Sequence, residues 1–198
     1  MIFAIFAHRQ IIDNFEKWSR RLLMDLREKK TKRNITNAFL QLRRKKALEK
    51  ITVKELSELA EISKATFYLH YKDIYDLSEQ LQNGIIQNIL GNIAHPEYCL
   101  SDSKAFVEEL FYAFYAEQSL IETLFSGTQN AILPMRIESE IRKFVKKQCP
   151  DMDIKTEMLL TYTINGGYYV YQEYHKEYHS EDIISFVSDA ANSIFDSQ

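Results

Sequence analysis

A chain of 198 residues that is 45% hydrophobic and 27% charged has ordinary globular composition and is long enough for one well-packed unit or two small ones. Five glycines and three prolines are too few turn residues for a many-stranded fold, which points to an all-α chain; Cys99 and Cys149, the only cysteines, cannot make a disulfide scaffold and read as reduced structural thiols. The net charge of −3 conceals a segregation, because up to Asp76 there are 17 Lys+Arg against 10 Asp+Glu (+7) and beyond it 8 against 18 (−10), so the front of the chain suits an anionic partner.

Met1 to Ala7 is apolar but has no basic region before it, which argues against a signal peptide. Phe15, Trp18, Leu22 and Leu26 then recur at helical spacing among Arg20, Arg21 and Arg27. Residues 1–28 are therefore expected to be an N-terminal extension, either poorly ordered or an extra helix packed on the adjoining domain. Nowhere does an apolar run approach the ~20 residues of a membrane span, so no membrane partner and a cytoplasmic location are expected. Lys32 to Lys46 places Ile35, Ala38, Phe39 and Leu42 on one helical face and ends in Arg43, Arg44, Lys45 and Lys46. That basic run reads either as a solvated helix end beside the C-terminal dipole or as part of the positive lobe.

Thr52 to Leu77, TVKELSELAEISKATFYLHYKDIYDL, predicts two short helices joined by a tight turn, and then the start of a third. Thr52 is a good N-cap, and Val53, Leu56, Leu59 and Ala60 give the first helix an apolar face. Ile62 and Ser63 close the turn, with Ser63 able to cap the second helix. Phe67 and Tyr71 supply its buried stripe. Lys64, Thr66, Tyr68, His70 and Lys72 are left outward, an array of hydroxyls and cations suited to phosphate oxygens and base edges in a major groove.

The string SKATFYLHYKD, Ser63 to Asp73, resembles the recognition helix of the TetR family of bacterial transcriptional regulators, TVKELSELA resembles the helix before it, and Lys32 to Lys46 the family's first helix. Ala47 and Glu61 stand where that family usually has glycine. Met24 to Lys29 looks like a natural start for such a domain. The resemblance implies a three-helix helix-turn-helix DNA-binding domain over residues 29–89, followed by a helical effector-binding and dimerisation domain over residues 90–198. By position in the motif, Thr52, Lys54, Ser63, Tyr68 and Lys72 would hold phosphates, and Lys64, Ala65, Thr66, Leu69 and His70 would approach bases. Lys29, Lys30, Lys32 and Arg33 are further phosphate candidates.

Beyond Asp73, a possible cap, Leu77, Leu81, Ile85, Ile89 and Ile93 define a long helix ending before Pro96. Ser101 or Asp102 starts the next helix, with Phe106, Leu110, Phe111 and Phe114; a short apolar piece, Leu120 to Phe125, stops at Gly127. Another helix runs near Ile132 to Lys147. Asp153 to about Tyr178 is long and aromatic, and Ser180 caps the last helix, with Ile183, Ile184, Val187, Ala191 and Ile194 behind it. The last two helices carry more apolar surface than one small domain hides. In the family resembled they form a four-helix bundle across a two-fold axis, which implies a homodimer interface at Gly166, Gly167, Tyr171, Ile183, Val187 and Ile194. The alternative for the two glycines is a local helix weakness. INGGYYVYQEY loosely resembles the penultimate helix of a Gram-positive group of these regulators.

Phe106, Phe111, Tyr112, Phe114, Tyr115, Tyr162 and Tyr169 are candidates for the wall of an effector cavity, though aromatic residues at this spacing are mostly core. His175 and His179, one turn apart, lack a third metal ligand, and no phosphate loop or nucleophile motif is present, so no cofactor, metal or catalytic residue is expected. The implied function is a homodimeric regulator of transcription that binds a palindromic double-stranded operator, a repressor released by an unknown small-molecule effector. The rivals are a helical module for another protein or an anionic surface, and a small helical enzyme built around Glu108, Glu109 or Tyr115.

Overall fold

The computed structural model describes residues 25–196, so Phe15, Trp18 and Leu22 of the expected extension lie outside the described residues. Among the described residues there is no strand, and the chain is all-α. It divides into two compact units, one ending at Leu77 and one beginning at Ser78.

In the first unit, helix α1 spans residues 25–43. Residues 25–28 are thus the first turn of α1, where Glu28 meets Lys32 at 2.8 Å. Ile35, Ala38, Phe39 and Leu42 are all buried along its inner face. The basic run at its end is not one solvated patch. Arg43 is buried and donates from Nη1 to the Lys46 carbonyl at 3.1 Å, and Lys46 pairs with Glu55 at 2.7 Å, leaving Arg44 and Lys45 in solvent. After a 3-10 turn, Leu48–Lys50, comes α2, Val53–Leu59, capped as expected by the Thr52 hydroxyl, which accepts from the Glu55 N–H. On α2 Leu56 and Ala60 are buried, but Leu59 is turned out and Ser57 takes the inner position.

The turn after α2 explains one of the two missing glycines. Glu61 has φ +56°, the left-handed conformation, while its N–H bonds the Glu58 carbonyl and the Ile62 N–H bonds the Ser57 carbonyl. That pair of bonds is the Schellman helix end, in which glycine is the usual residue. Ala47, by contrast, has φ −62° and ψ 152°, extended backbone that needs no glycine. Helix α3, Lys64–Tyr68, is capped by the Ser63 side chain, and Asn34 ties α1 to the end of α2 through the Ala60 carbonyl. Helix α4, Ile74–Gly91, starts where the Asp73 carboxylate accepts the Asp76 N–H at 2.8 Å.

The second unit contains the rest of α4, then α5 (Tyr98–Ser101), α6 (Ser103–Ala116), α7 (Gln118–Leu124), a 3-10 segment Gly127–Ile132, α8 (Leu133–Gln148), α9 (Ile154–Tyr174) and α10 (Ser180–Asp196). Asp102 and Asp153 cap α6 and α9 by accepting the N–H of Ala105 and Thr156. Helix α9 ends four residues short of Tyr178, because the Tyr174 carbonyl accepts from both Glu177 and Tyr178 and the His175 ring turns back onto the carbonyls of Tyr171 and Gln172. His175 and His179 therefore do not share a helix.

Helix α10 packs on α6 and α9 around Val107, Ile183, Val187 and Ala191, with Phe111, Val170 and Tyr171 against them. Most of the residues expected at a dimer interface are therefore used inside the protomer. Ile183, Val187, Gly167 and Tyr171 face its own core, Ile194 is half-buried, and only Gly166 is exposed. The apolar face of α10 is covered by α6, a neighbour that sequence periodicity does not identify.

Candidate functional site

The outward side of α3 is made by its two ends. Ser63 Oγ accepts the Thr66 N–H at 3.0 Å and shares a 2.8 Å hydrogen bond with Thr66 Oγ1, so the first turn is held from outside. Phe67 is fully buried and touches Tyr68 edge-on and Tyr71 at a tilt, with ring centroids 5.5 and 5.7 Å apart. Tyr71 is buried as well, and that burial raises its phenol above the ordinary range. With Phe67 and Tyr71 fixed inward, Tyr68 and Leu69 between them face out. Tyr68 is 56% exposed and Leu69 82%.

All ten residues assigned to DNA contact lie on the first unit's α2 and α3 or in the segments flanking them. Thr52, Lys54, Ser63, Lys64, Ala65, Tyr68, Leu69 and Lys72 are exposed; Thr66 and His70 are half-buried. Lys54, Lys64 and Lys72 make no ion pair among the described residues, unlike Lys32 and Lys46, which are held by Glu28 and Glu55. An unneutralised lysine on a surface leaves its charge available to an incoming phosphate. The Lys72 backbone N–H donates to Asp76 Oδ2 at 2.8 Å, which fixes the chain where it leaves α3. Leu69, 82% exposed, lies beside these cations.

The second unit encloses a cavity of about 380 Å³. Phe106, Phe111, Phe114 and Tyr115 line it, whereas Tyr112, Tyr162 and Tyr169 do not; they are exposed on the outer surface. Periodicity missed the other side of the wall, Ile137 and Ile141 from α8 and Thr163 and Tyr171 from α9. Thr163 Oγ1 is buried there with no hydrogen-bond partner among the described residues, an orphan polar atom in an apolar wall. The carboxylates considered for catalysis hold the fold together. Glu109 accepts the backbone N–H of Ala94 and of His95 beyond the end of α4, and Glu108 accepts from Ser188 Oγ at 3.0 Å. No group of three or more His, Cys, Asp or Glu fit to hold a metal occurs among the described residues. No helix of the described chain is long and apolar enough to cross a membrane.

No protein-family model and no curated protein matches the sequence. Among solved structures, a crystal structure at 2.10 Å from Shewanella sp. PV-4, described as a "putative tetR family transcription regulator", matches with a TM-score of 0.55 and 15% identity over 82% of this chain and 96% of that one. The likeness is one of fold: an all-α chain with a helix-turn-helix near its start and a helical second unit.

Proposed function

We propose that the protein is a TetR-family regulator of transcription that reads DNA with the outward side of α3 and works as a homodimer. The observation that carries this reading is the set Lys54, Lys64, Tyr68, Leu69 and Lys72, exposed and without ion pairs around a capped five-residue helix on a TetR-type fold. Thr52, Lys54, Ser63, Tyr68 and Lys72 hold phosphates; Lys64, Ala65, Thr66, Leu69 and His70 meet base edges.

The dimer face runs along the outer side of α9. Ile154, Met158, Tyr162, Gly166 and Tyr169 follow one another at spacings of three and four, and the four side chains are 67%, 65%, 68% and 60% exposed; Phe186 on α10 adds 64%. Large apolar residues in a continuous exposed stripe mark an interaction surface, and Gly166 lets a second helix approach. Two α3 helices related by a two-fold axis enter successive major grooves when their centres are about 34–36 Å apart, which sets a palindromic operator. A small apolar effector occupies the α6, α8 and α9 cavity, whose volume lies within the roughly 300–1,000 Å³ of ligand sites. The effector releases the repressor by preferring a dimer with another spacing, and effector and operator oppose each other by linkage.

The test is a footprint on the DNA flanking the protein's own gene, repeated over a panel of apolar metabolites and a series of salt concentrations. A protected palindrome whose affinity falls steeply with salt, in proportion to the phosphates neutralised, supports the reading. Equal affinity for unrelated duplex sequence at every salt concentration refutes it.

A further inference from the structure

The chain has two cysteines, and folding brings them together. Cys99 Sγ and Cys149 Sγ lie 3.9 Å apart although 50 positions separate them in sequence. Cys99 is buried on the short helix α5 and lines the cavity; Cys149 is partly exposed as the C-cap of α8. Their surroundings also let them approach further. A disulfide needs sulfurs about 2.05 Å apart, so roughly 2 Å must be closed. Neither residue sits inside a long helix that would resist that shift: α5 is a single turn whose N-cap, Glu97, makes no side-chain cap bond, and Cys149 has φ −131° and ψ 78°, outside the helical region.

We infer that Cys99 and Cys149 form a reversible thiol switch that peroxide closes into an intrachain disulfide, pinning α5 to the end of α8 and altering the cavity that Cys99 lines. The partly exposed Cys149 thiolate attacks one peroxide oxygen; the O–O bond breaks, the other oxygen leaves with a proton as water, and Cys149 becomes a sulfenic acid. The Cys99 sulfur then attacks the Cys149 sulfur, the S–O bond breaks, and the displaced hydroxide leaves as water with the Cys99 proton. In sum two thiols lose two hydrogens and two electrons, and one hydrogen peroxide becomes two waters. In a reducing compartment a disulfide of this kind is transient and serves sensing. Neither thiol belongs to α2 or α3, so the bond forms or fails to form whatever those helices bind.

The experiment treats the full chain with stoichiometric hydrogen peroxide and reads intact mass, a non-reducing peptide map, and the binding of anilinonaphthalene sulfonate as a probe of the cavity. The expected result is a mass lower by two hydrogens, a single cross-linked peptide pair containing Cys99 and Cys149, an at least threefold change in probe affinity, and full reversal by dithiothreitol. Cys149→Ser abolishes the mass loss and the affinity change, and its unchanged helical signal shows that the chain still folds. Added oxygens without a cross-link, a disulfide between two chains, or no reaction overturns the switch. A cross-link that leaves probe affinity unchanged overturns its link to the cavity.

Discussion

The two units use apolar residues in different ways. In the first, one core takes most of them, and the large ones left exposed, Leu26, Leu59, Tyr68, Leu69 and Tyr75, are scattered over α1, α2, α3 with its end, and the start of α4. In the second, aromatic residues serve two ends: inner wall of the cavity in Phe106, Phe111 and Phe114, and outer surface in Tyr162 and Tyr169. A small unit with one core has one inside, which Phe67 and Tyr71 reach from α3 and its end. A larger helical unit with a cavity and an open face has two places to put the same residue type, and only the folded structure separates them.

The largest effect that tests this contrast lies in the first unit, between neighbours. Phe67→Ala is expected to cost about 3–5 kcal/mol and to abolish DNA binding by unfolding. Tyr68→Ala, one position on, should keep the thermal transition and lose operator affinity at fixed salt. Unchanged affinity for Tyr68→Ala, or unfolding by it, would break the division into inner and outer sides.

Adjacent glycines in α9 give the matching pair for the second unit. A Cβ on Gly167 would stand 2.9 Å from Val187 Cγ1 and 3.4 Å from Phe111, whereas one on Gly166 meets nothing within 4 Å. Gly167→Ala should therefore destabilise by about 1–3 kcal/mol of overpacking, less what helix propensity returns, and Gly166→Ala should gain the single chain up to about 1 kcal/mol while weakening its proposed pairing with a second copy. Chemical denaturation of both variants checks the sign. Next comes Lys64→Ala, which should relax discrimination at one base-pair position by about 1–3 kcal/mol while leaving stability unchanged; a base-preference profile identical to the parent's would remove Lys64 from the bases.

The smallest effect concerns the turn. Glu61→Gly relieves a left-handed residue, worth about 1–2 kcal/mol, against an unfolded-state cost of about 0.4–1 kcal/mol, for a net gain between about 0 and 1.6 kcal/mol. The same change removes a negative charge three residues before Lys64, the first residue of α3. A denaturation midpoint that falls would show that Glu61 makes a contact the turn geometry does not reveal.

Local signals were legible in the sequence because their causes are local. Thr52, Ser63, Asp73 and Asp153 each accept an N–H three residues on, as capping chemistry dictates, and Ile35, Ala38, Phe39 and Leu42 repeat at the helical period on one buried face. The missing glycine at Glu61 marked a real left-handed turn, while the one at Ala47 marked nothing, since φ belongs to the folded backbone and not to the residue type. Periodicity also found the apolar residues of α10, Ile183, Ile184, Val187 and Ala191, all buried. It did not say which helix covers them, because a period fixes the side of a helix on which residues lie and not what packs there. Tertiary packing settled that α6 takes Ile183 and Val187, that Tyr162 and Tyr169 stay outside the cavity, and that Cys99 meets Cys149 across 50 positions. Contacts so distant in the chain are set by how whole helices stack, which no short stretch of residues encodes by itself.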